Sequence, residues 1–312
     1  MNKLLILEQN AQEYAGELQN RALPALEIVT SNDANCREDH IRSANIILGQ
    51  PDLVAGLLHQ AEQLEWVQSS FAGIEPFCSP GLRTDYHLTG VKGIFGPLMS
   101  EYVFAYILAL ERHLFQMREN QRHCLWESLP YRSLAGVTIG ICGLGSIGQH
   151  IARTAAHFQM RVLGLRRSPR TTACVEQVFG PSEVNLFVRE VDYLVVVLPS
   201  TPQTRHFIDG SVLSHMKESA VLISVGRGAT VSENDLARAL RAGSLRSAVI
   251  DVFESEPLPP ASPLWKLGNA YVTPHHSAVT FTKDIVGIFS ENYKRFIENK
   301  PLKYIIDLKR GY

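Results

Sequence analysis

Val137-Thr-Ile-Gly-Ile-Cys-Gly-Leu-Gly-Ser-Ile-Gly148 is an apolar run that ends in three glycines, Gly143, Gly145 and Gly148, spaced G-x-G-x-x-G. Val137 to Cys142 reads as a buried strand, and from Gln149 to Gln159 the residues Ile151, Ala155 and Phe158 fall on one helical face. In such a strand-turn-helix unit the first glycine allows the tight turn. The second lets a pyrophosphate approach the backbone, and the third allows the helix to pack closely on the strand. The phosphates then rest on the helix N-terminus, here Ser146 and Ile147. Glycines also occur where a buried strand turns into a helix for packing alone. In this chain a strand, a helix and a second strand, Arg161 to Leu165, follow in the order that a dinucleotide site requires.

An acid that binds the ribose of NAD would stand roughly 20 residues beyond the glycines. The residues there are Arg166, Arg167, Ser168, Pro169 and Arg170. A solvated basic loop is the plain reading; the sharper one is a cluster that makes charge-assisted hydrogen bonds to a 2'-phosphate. NADPH is therefore the expected cofactor, with NADH possible.

At 312 residues the chain has room for two domains of ordinary size. Hydrophobic residues at 45%, charged residues at 20% and a net charge of -1 lack the bias that favours nucleic acid or an anionic membrane. The first apolar run, Leu4 to Leu7, is too short for a signal sequence, and no segment approaches the roughly 20 apolar residues that span a bilayer. A cytoplasmic protein whose partners are small molecules and copies of itself is expected. Cys36, Cys78, Cys124, Cys142 and Cys174 show no metal-ligand spacing, so they read as ordinary buried thiols and no metal is expected.

Strand-like runs at Lys3 to Leu7, Glu27 to Val29, Ala44 to Leu48 and Leu64 to Gln68 alternate with helix-like stretches at Glu13 to Leu23 and Leu53 to Gln60. This rhythm is the signature of an α/β fold with a parallel sheet. The loop Phe71-Ala-Gly-Ile74 is a plain turn or a nest of N–H groups for a carboxylate. Glycine and proline between Leu88 and Pro97 suggest a hinge, and one long helix is expected from Ser100, its cap, to about Arg122. Further strands are expected at Asp192 to Leu198, Ala220 to Val225, Ala248 to Val252 and Tyr271 to Thr273, with helices around Gly210 to Met216 and at Glu233 to Arg241. An amphipathic helix, Lys283 to Asn299, carries the chain back to the first domain, and a short tail, Leu302 to Tyr312, ends it.

The ligand side of a parallel sheet is where its strands end, and polar groups gather there. Pro199 to Thr204 forms one such loop; Arg227, the acids from Asp251 to Glu256, and His275 with His276 stand beyond three later strands. Each has a plain reading as a solvated or structural residue. Together they meet the needs of hydride transfer to a 2-oxo acid. The arginine holds the carboxylate and polarises the carbonyl, and a histidine kept charged by a neighbouring carboxylate gives up a proton. Adjacent residues on an extended chain point to opposite sides, so only one histidine can meet the substrate, and the residues alone do not choose.

Gly143-Leu-Gly-Ser-Ile-Gly148, Val225-Gly-Arg-Gly228, Asp251-Val-Phe-Glu-Ser-Glu-Pro257 and Thr273-Pro-His275 resemble, in order and spacing, the motifs of the D-isomer-specific 2-hydroxyacid dehydrogenases. Ser70 to Ile74 and Phe95 to Tyr102 look most like the short, NADP-preferring glyoxylate and hydroxypyruvate reductase branch. The resemblance implies two domains, each an open parallel sheet with flanking helices. A Rossmann-type cofactor domain, 100–282, would be inserted into a flavodoxin-like substrate domain, 1–99 with 283–312, in a homodimer. It places the substrate-binding arginine on Arg227, the carboxylate partner on Glu256 and the acid/base on His275. It also puts Asp251 near the nicotinamide carboxamide, and the backbone of Ala72, Gly73 and Ile74 near the substrate carboxylate. Ile223-Ser224 departs from the family, which often has an asparagine before the arginine motif.

The expected activity is reduction of a small 2-oxo acid, glyoxylate or hydroxypyruvate. The rivals are a dehydrogenase of larger or aromatic 2-oxo acids and a dinucleotide-sensing protein without turnover. A sensor has no need of proton-transfer groups. Formate oxidation has no use for the Glu256 and His275 pair, and an appended effector domain of the phosphoglycerate dehydrogenase kind is not seen.

Overall fold

The structure is a computed structural model that describes residues 1–31 and 38–308. Cys36 and positions 309–312 of the expected tail lie outside the described residues. The chain forms two compact units, one of Met1–Ile94 with Thr280–Tyr312 and one of Phe95–Val279.

In the first unit β1 (Asn2–Leu7), α1 (Ala11–Gln19), β2 (Leu26–Ser31), α2 (Glu38–Ser43), β3 (Ile46–Gly49), α3 (Pro51–Leu57), β4 (Trp66–Ser69) and β5 (His87–Thr89) follow one another. They build a parallel sheet ordered β2-β1-β3-β4-β5. Its central strands are buried on both faces and so read as unbroken apolar runs. Leu5, Leu7, Ile47, Val67 and Leu88 face one way, onto Ile41 of α2 and Val54 of α3. Leu4, Ile6, Ile46, Leu48 and Trp66 face the other, onto α1 and the late helix Thr282–Ile297, whose Phe289 ring stacks on Trp66 at 4.9 Å. After that helix the chain runs along β5, where the Ile306 N–H donates to the Leu88 carbonyl at 2.9 Å.

The second unit opens with α4 (Phe95–Glu111) and α5 (Leu114–Arg122). It continues with β6 (Thr138–Cys142), α6 (Ser146–His157), β7 (Arg161–Leu165), β8 (Gln177–Phe179), α7 (Val184–Glu190), β9 (Tyr193–Val196), α8 (Gly210–Leu213), β10 (Val221–Ser224), α9 (Glu233–Ala242), β11 (Ser247–Ile250) and β12 (Ala270–Val272), so that the late helix is α10. Its parallel sheet has the order β12-β11-β10-β9-β6-β7-β8. The order reverses between β6 and β9, and ligands of open α/β sheets bind at the carboxyl ends beside such a reversal. One face packs on α7, α8 and α9 through Leu194, Leu222 and Ile250; the other packs on α4 and α6 through Ile141, Val195 and Ile223.

Several sequence expectations are corrected. The helix expected from Ser100 starts at Phe95, because Pro97 falls in the first turn, where its missing N–H leaves no bond unmade. Ser100 is no cap: it is buried within α4, with its hydroxyl 2.8 Å from His150 Nδ1. The long helix is also broken, since His113 takes a left-handed φ of 53° and α5 begins after it. Leu88 and Thr89, read as part of a hinge, are in β5. The short elements α2, β8 and α7 were not anticipated. Of the cysteines read as buried, Cys142 is buried, whereas Cys78, Cys124 and Cys174 are exposed.

Candidate active site

At the carboxyl end of β6 the three glycines have three different surroundings. Gly143 has φ +110°, and a Cβ there would stand 2.5 Å from the Val197 carbonyl oxygen. A Cβ on Gly148 would stand 2.0 Å from the Gly143 carbonyl oxygen, so α6 packs against the turn as only glycine allows. Gly145, the cap of α6, is exposed, with no atom within 4 Å of where a Cβ would be. Two glycines are thus explained by packing and one is left facing open space at the N-terminus of a 12-residue helix. Ser146 is exposed beside it and Ile147 half-buried. This is a cradle for an anion that must touch backbone.

Beyond β7 the loop Arg166-Arg-Ser-Pro-Arg170 contains no acid. Arg167, Ser168 and Arg170 are exposed. Burial and then the charge of Arg170 hold the Arg166 guanidinium below its ordinary value. An anion placed among these cations is favoured by charge. The open backbone at Gly145 and the cationic loop at Arg166 are thus chemically suited to the phosphates of a dinucleotide. Past β9, Pro199 and Thr204 belong to one tight loop. The Thr204 hydroxyl donates to the Pro199 carbonyl at 2.6 Å and accepts the Thr201 N–H at 2.9 Å, so it closes the loop on itself.

Arg227 follows β10 half-buried, with its Nη1 donating to the Gly226 carbonyl at 2.9 Å. The backbone beside it touches the next loop: a Cβ on Gly228 would lie 1.9 Å from the Phe253 carbonyl carbon. That loop leaves β11 with Asp251, which has no exposed surface, and reaches Glu256, which is exposed. Glu256 Oε2 stands 2.7 Å from His275 Nδ1, while its Oε1 accepts the Phe253 N–H at 2.9 Å. A carboxylate only accepts, so the imidazole donates from Nδ1 and presents Nε2 outward. The structure thereby separates the two histidines: His275 pairs with Glu256, while the His276 ring stands edge-on to Tyr102 at 6.2 Å.

Asp251 is engaged by its own chain. Its Oδ1 accepts the Thr273 hydroxyl at 2.5 Å and the His276 N–H at 3.0 Å; its Oδ2 accepts the Ser277 N–H at 3.0 Å. A further group escaped sequence reasoning. The Glu254 N–H donates to Glu233 Oε1 at 2.5 Å, and Glu254 Oε2 lies 2.9 Å from His206 Nε2. Burial, joined by the charges of Glu254 and Glu256, raises the Glu233 carboxyl above its usual range. These partners are 21 and 48 residues apart, and no local pattern links them.

In the first unit Ala72, Gly73 and Ile74 form the turn after β4, and the Ser69 hydroxyl folds its start by donating to the Phe71 carbonyl at 2.8 Å. Among the described residues no group of three or more His, Cys, Asp or Glu is placed to hold a metal, and no helix is long and apolar enough to cross a membrane.

A Rossmann turn open to phosphate, beside strand ends that carry an arginine and a carboxylate-bound histidine, defines a dinucleotide-dependent oxidoreductase. The model of the D-isomer specific 2-hydroxyacid dehydrogenase NAD-binding domain matches residues 104–277. Glyoxylate/hydroxypyruvate reductase A of Escherichia fergusonii is 33% identical over 217 residues, 70% of each chain. A family protein from Aeromonas salmonicida superposes with TM-score 0.95 at 45% identity, covering 98% of this chain and 99% of its own. An NADPH-dependent glyoxylate/hydroxypyruvate reductase from Sinorhizobium meliloti, solved with NADP and sulfate, gives TM-score 0.88 at 28% identity over 100% of both chains. The chain belongs to the D-isomer specific 2-hydroxyacid dehydrogenase family.

Proposed function

We propose that the protein reduces glyoxylate and hydroxypyruvate to their 2-hydroxy acids with NADPH in preference to NADH. The observation that carries this reading is the 2.7 Å pairing of His275 with Glu256. When bound, the reduced nicotinamide supplies two electrons as hydride. His275 gives its Nε2 proton to the substrate carbonyl oxygen, and Glu256 steadies the ring and its positive charge. Arg227 takes the substrate carboxylate and polarises the carbonyl. Gly143, Gly145, Ser146, Ile147 and Gly148 hold the pyrophosphate. Arg166, Arg167 and Ser168 hold the 2'-phosphate, while Pro199, Thr204 and Asp251 complete the cofactor's surroundings. The cationic loop supports NADPH, as does the likeness to the NADP-bound Sinorhizobium reductase.

The protein works as a cytoplasmic homodimer in this reading. Leu114, Phe115, Met117, Leu125 and Trp126 expose apolar surface on and after α5, which favours self-association. Sedimentation at micromolar concentration tests the dimer, and a monomer there would remove it.

The activity is tested with a panel of 2-oxo acids, reading kcat/KM with NADPH and with NADH. Glyoxylate and hydroxypyruvate should lead the panel. His275→Ala and Arg227→Ala should each lower kcat/KM by at least roughly 100-fold. Wild-type turnover by both variants on every acid would overturn the mechanism.

A further inference from the structure

His275 has φ +49°, the left-handed region that a residue with a Cβ rarely adopts. Surrounding structure must hold a catalytic side chain in such a place. Here the restraint comes from Asp251. Its carbonyl accepts the His275 N–H at 2.9 Å, and its carboxylate takes the next two N–H groups, those of His276 and Ser277. Three successive backbone donors are thus anchored to one buried residue.

The anchor is itself held. The Thr273 hydroxyl donates its single proton to Asp251 Oδ1 at 2.5 Å. The Tyr102 hydroxyl, 2.6 Å from Thr273 Oγ1, must therefore be the donor in that contact. Burial pushes the Tyr102 phenol well above its ordinary range, which keeps that proton in place. Tyr102 lies on α4, and one turn earlier Met99 accepts the Ser277 hydroxyl at 3.3 Å. One face of α4 therefore grips the chain on both sides of His275.

We infer that Tyr102 and Thr273 are positioning residues for proton transfer, acting through Asp251 to hold His275 at its left-handed backbone position. The inference rests on His275 being the proton donor. Neither hydroxyl is assigned to substrate or cofactor, so their loss should alter kcat and leave binding alone.

The test uses Tyr102→Phe, Thr273→Val and Thr273→Ser in the full chain, with His275→Ala alongside. Tyr102→Phe and Thr273→Val should lower kcat about 10- to 100-fold, the scale of a misplaced catalytic group. KM for the 2-oxo acid and the NADPH Kd, read by fluorescence titration without substrate, should stay within about twofold on the same reasoning. Thr273→Ser, which keeps the hydroxyl, should restore most of kcat. In the free protein, the low-field imidazole proton resonance of His275, assigned by its absence in His275→Ala, should broaden in Tyr102→Phe and persist in Thr273→Ser. Wild-type kcat in Tyr102→Phe and Thr273→Val overturns the inference. So does a loss confined to KM or NADPH Kd, or a failure of serine to rescue. If His275→Ala itself stays active, the proton-donor assignment fails instead, which separates the two failures.

Discussion

His275 and Glu256 meet through Nδ1 and Oε2 at 2.7 Å, and the second oxygen of Glu256 is fixed by the Phe253 N–H. The carboxylate is thus held at both oxygens, so the ring it grips has a defined orientation.

Glu256→Gln keeps the shape of this contact and removes its charge. The side chain can still accept the Nδ1 proton but no longer balances a positive ring. We expect kcat/KM for 2-oxo acid reduction to fall about 10- to 100-fold, within the range for impaired acid–base catalysis. The thermal midpoint should hardly move, because both side chains are exposed. Steady-state kinetics with a parallel melting curve check this; an unchanged kcat/KM would mean that Glu256 has no part in proton transfer.

The glycine turn makes a sharper demand, because two of its members should fail in opposite ways. Gly148→Ala sets a Cβ 2.0 Å from a backbone oxygen, an overpacking that costs about 1–3 kcal/mol and lowers the melting temperature. Gly145→Ala meets nothing, and its φ of -75° suits alanine, so stability should hold or rise slightly. NADPH should nevertheless bind roughly tenfold more weakly to it, a loss of about 1.4 kcal/mol, as the methyl occupies the phosphate's approach. Melting curves and fluorescence titration together decide. A Gly145→Ala protein with wild-type NADPH affinity would contradict the placement of the pyrophosphate.

Much of this was legible in the sequence, for a physical reason. β7 is found as expected, Arg161–Leu165, because Val162 to Leu165 are buried and so form an unbroken apolar run. The polar ends of such strands stand out by contrast, which is why Arg227, the acids from Asp251 to Glu256, and His275 with His276 could be picked out, while Glu256 and His275 are singled out only by the family resemblance. What stayed hidden depends on backbone conformation or on distant partners. The apolar spacing runs on from Leu110 to Leu114 across the break at His113. β5 and β8 are three-residue strands with polar members such as His87 and Gln177, too short for a period to register. That His275 rather than His276 pairs with Glu256 accompanies a left-handed backbone at His275, which no spacing reveals.

Arg166 and Arg167 allow cofactor choice to be tested apart from catalysis. Replacing both with alanine removes charge-assisted hydrogen bonds worth about 1.5–3 kcal/mol each toward a phosphate. KM for NADPH should rise at least roughly tenfold, while KM for NADH, which has no 2'-phosphate, should change little. Paired titrations with the two nucleotides provide the measurement. Equal weakening of both would remove the 2'-phosphate from this loop.

Glu111, only 4% exposed near the end of α4, accepts from the Tyr193 hydroxyl at 2.5 Å, Arg132 Nε at 2.9 Å and Arg246 Nη1 at 2.9 Å. Burial alone would raise its carboxyl, but the three donors outweigh burial and hold it below the usual range. In the unfolded chain the group titrates near pH 4.3, roughly the ordinary glutamate value. A depressed folded value means that the stabilisation is complete above that pH and is lost as pH falls through the lower folded value. Glu111→Gln should therefore be less stable at pH 7 by about 1.5–3 kcal/mol, the worth of hydrogen bonds to a charged group. The deficit should shrink as the wild-type carboxylate protonates in acid. Urea unfolding of both proteins at pH 7 and at pH values below the unfolded titration reads this directly. A deficit that stays constant with pH would show that packing, not charge, is what Glu111 contributes.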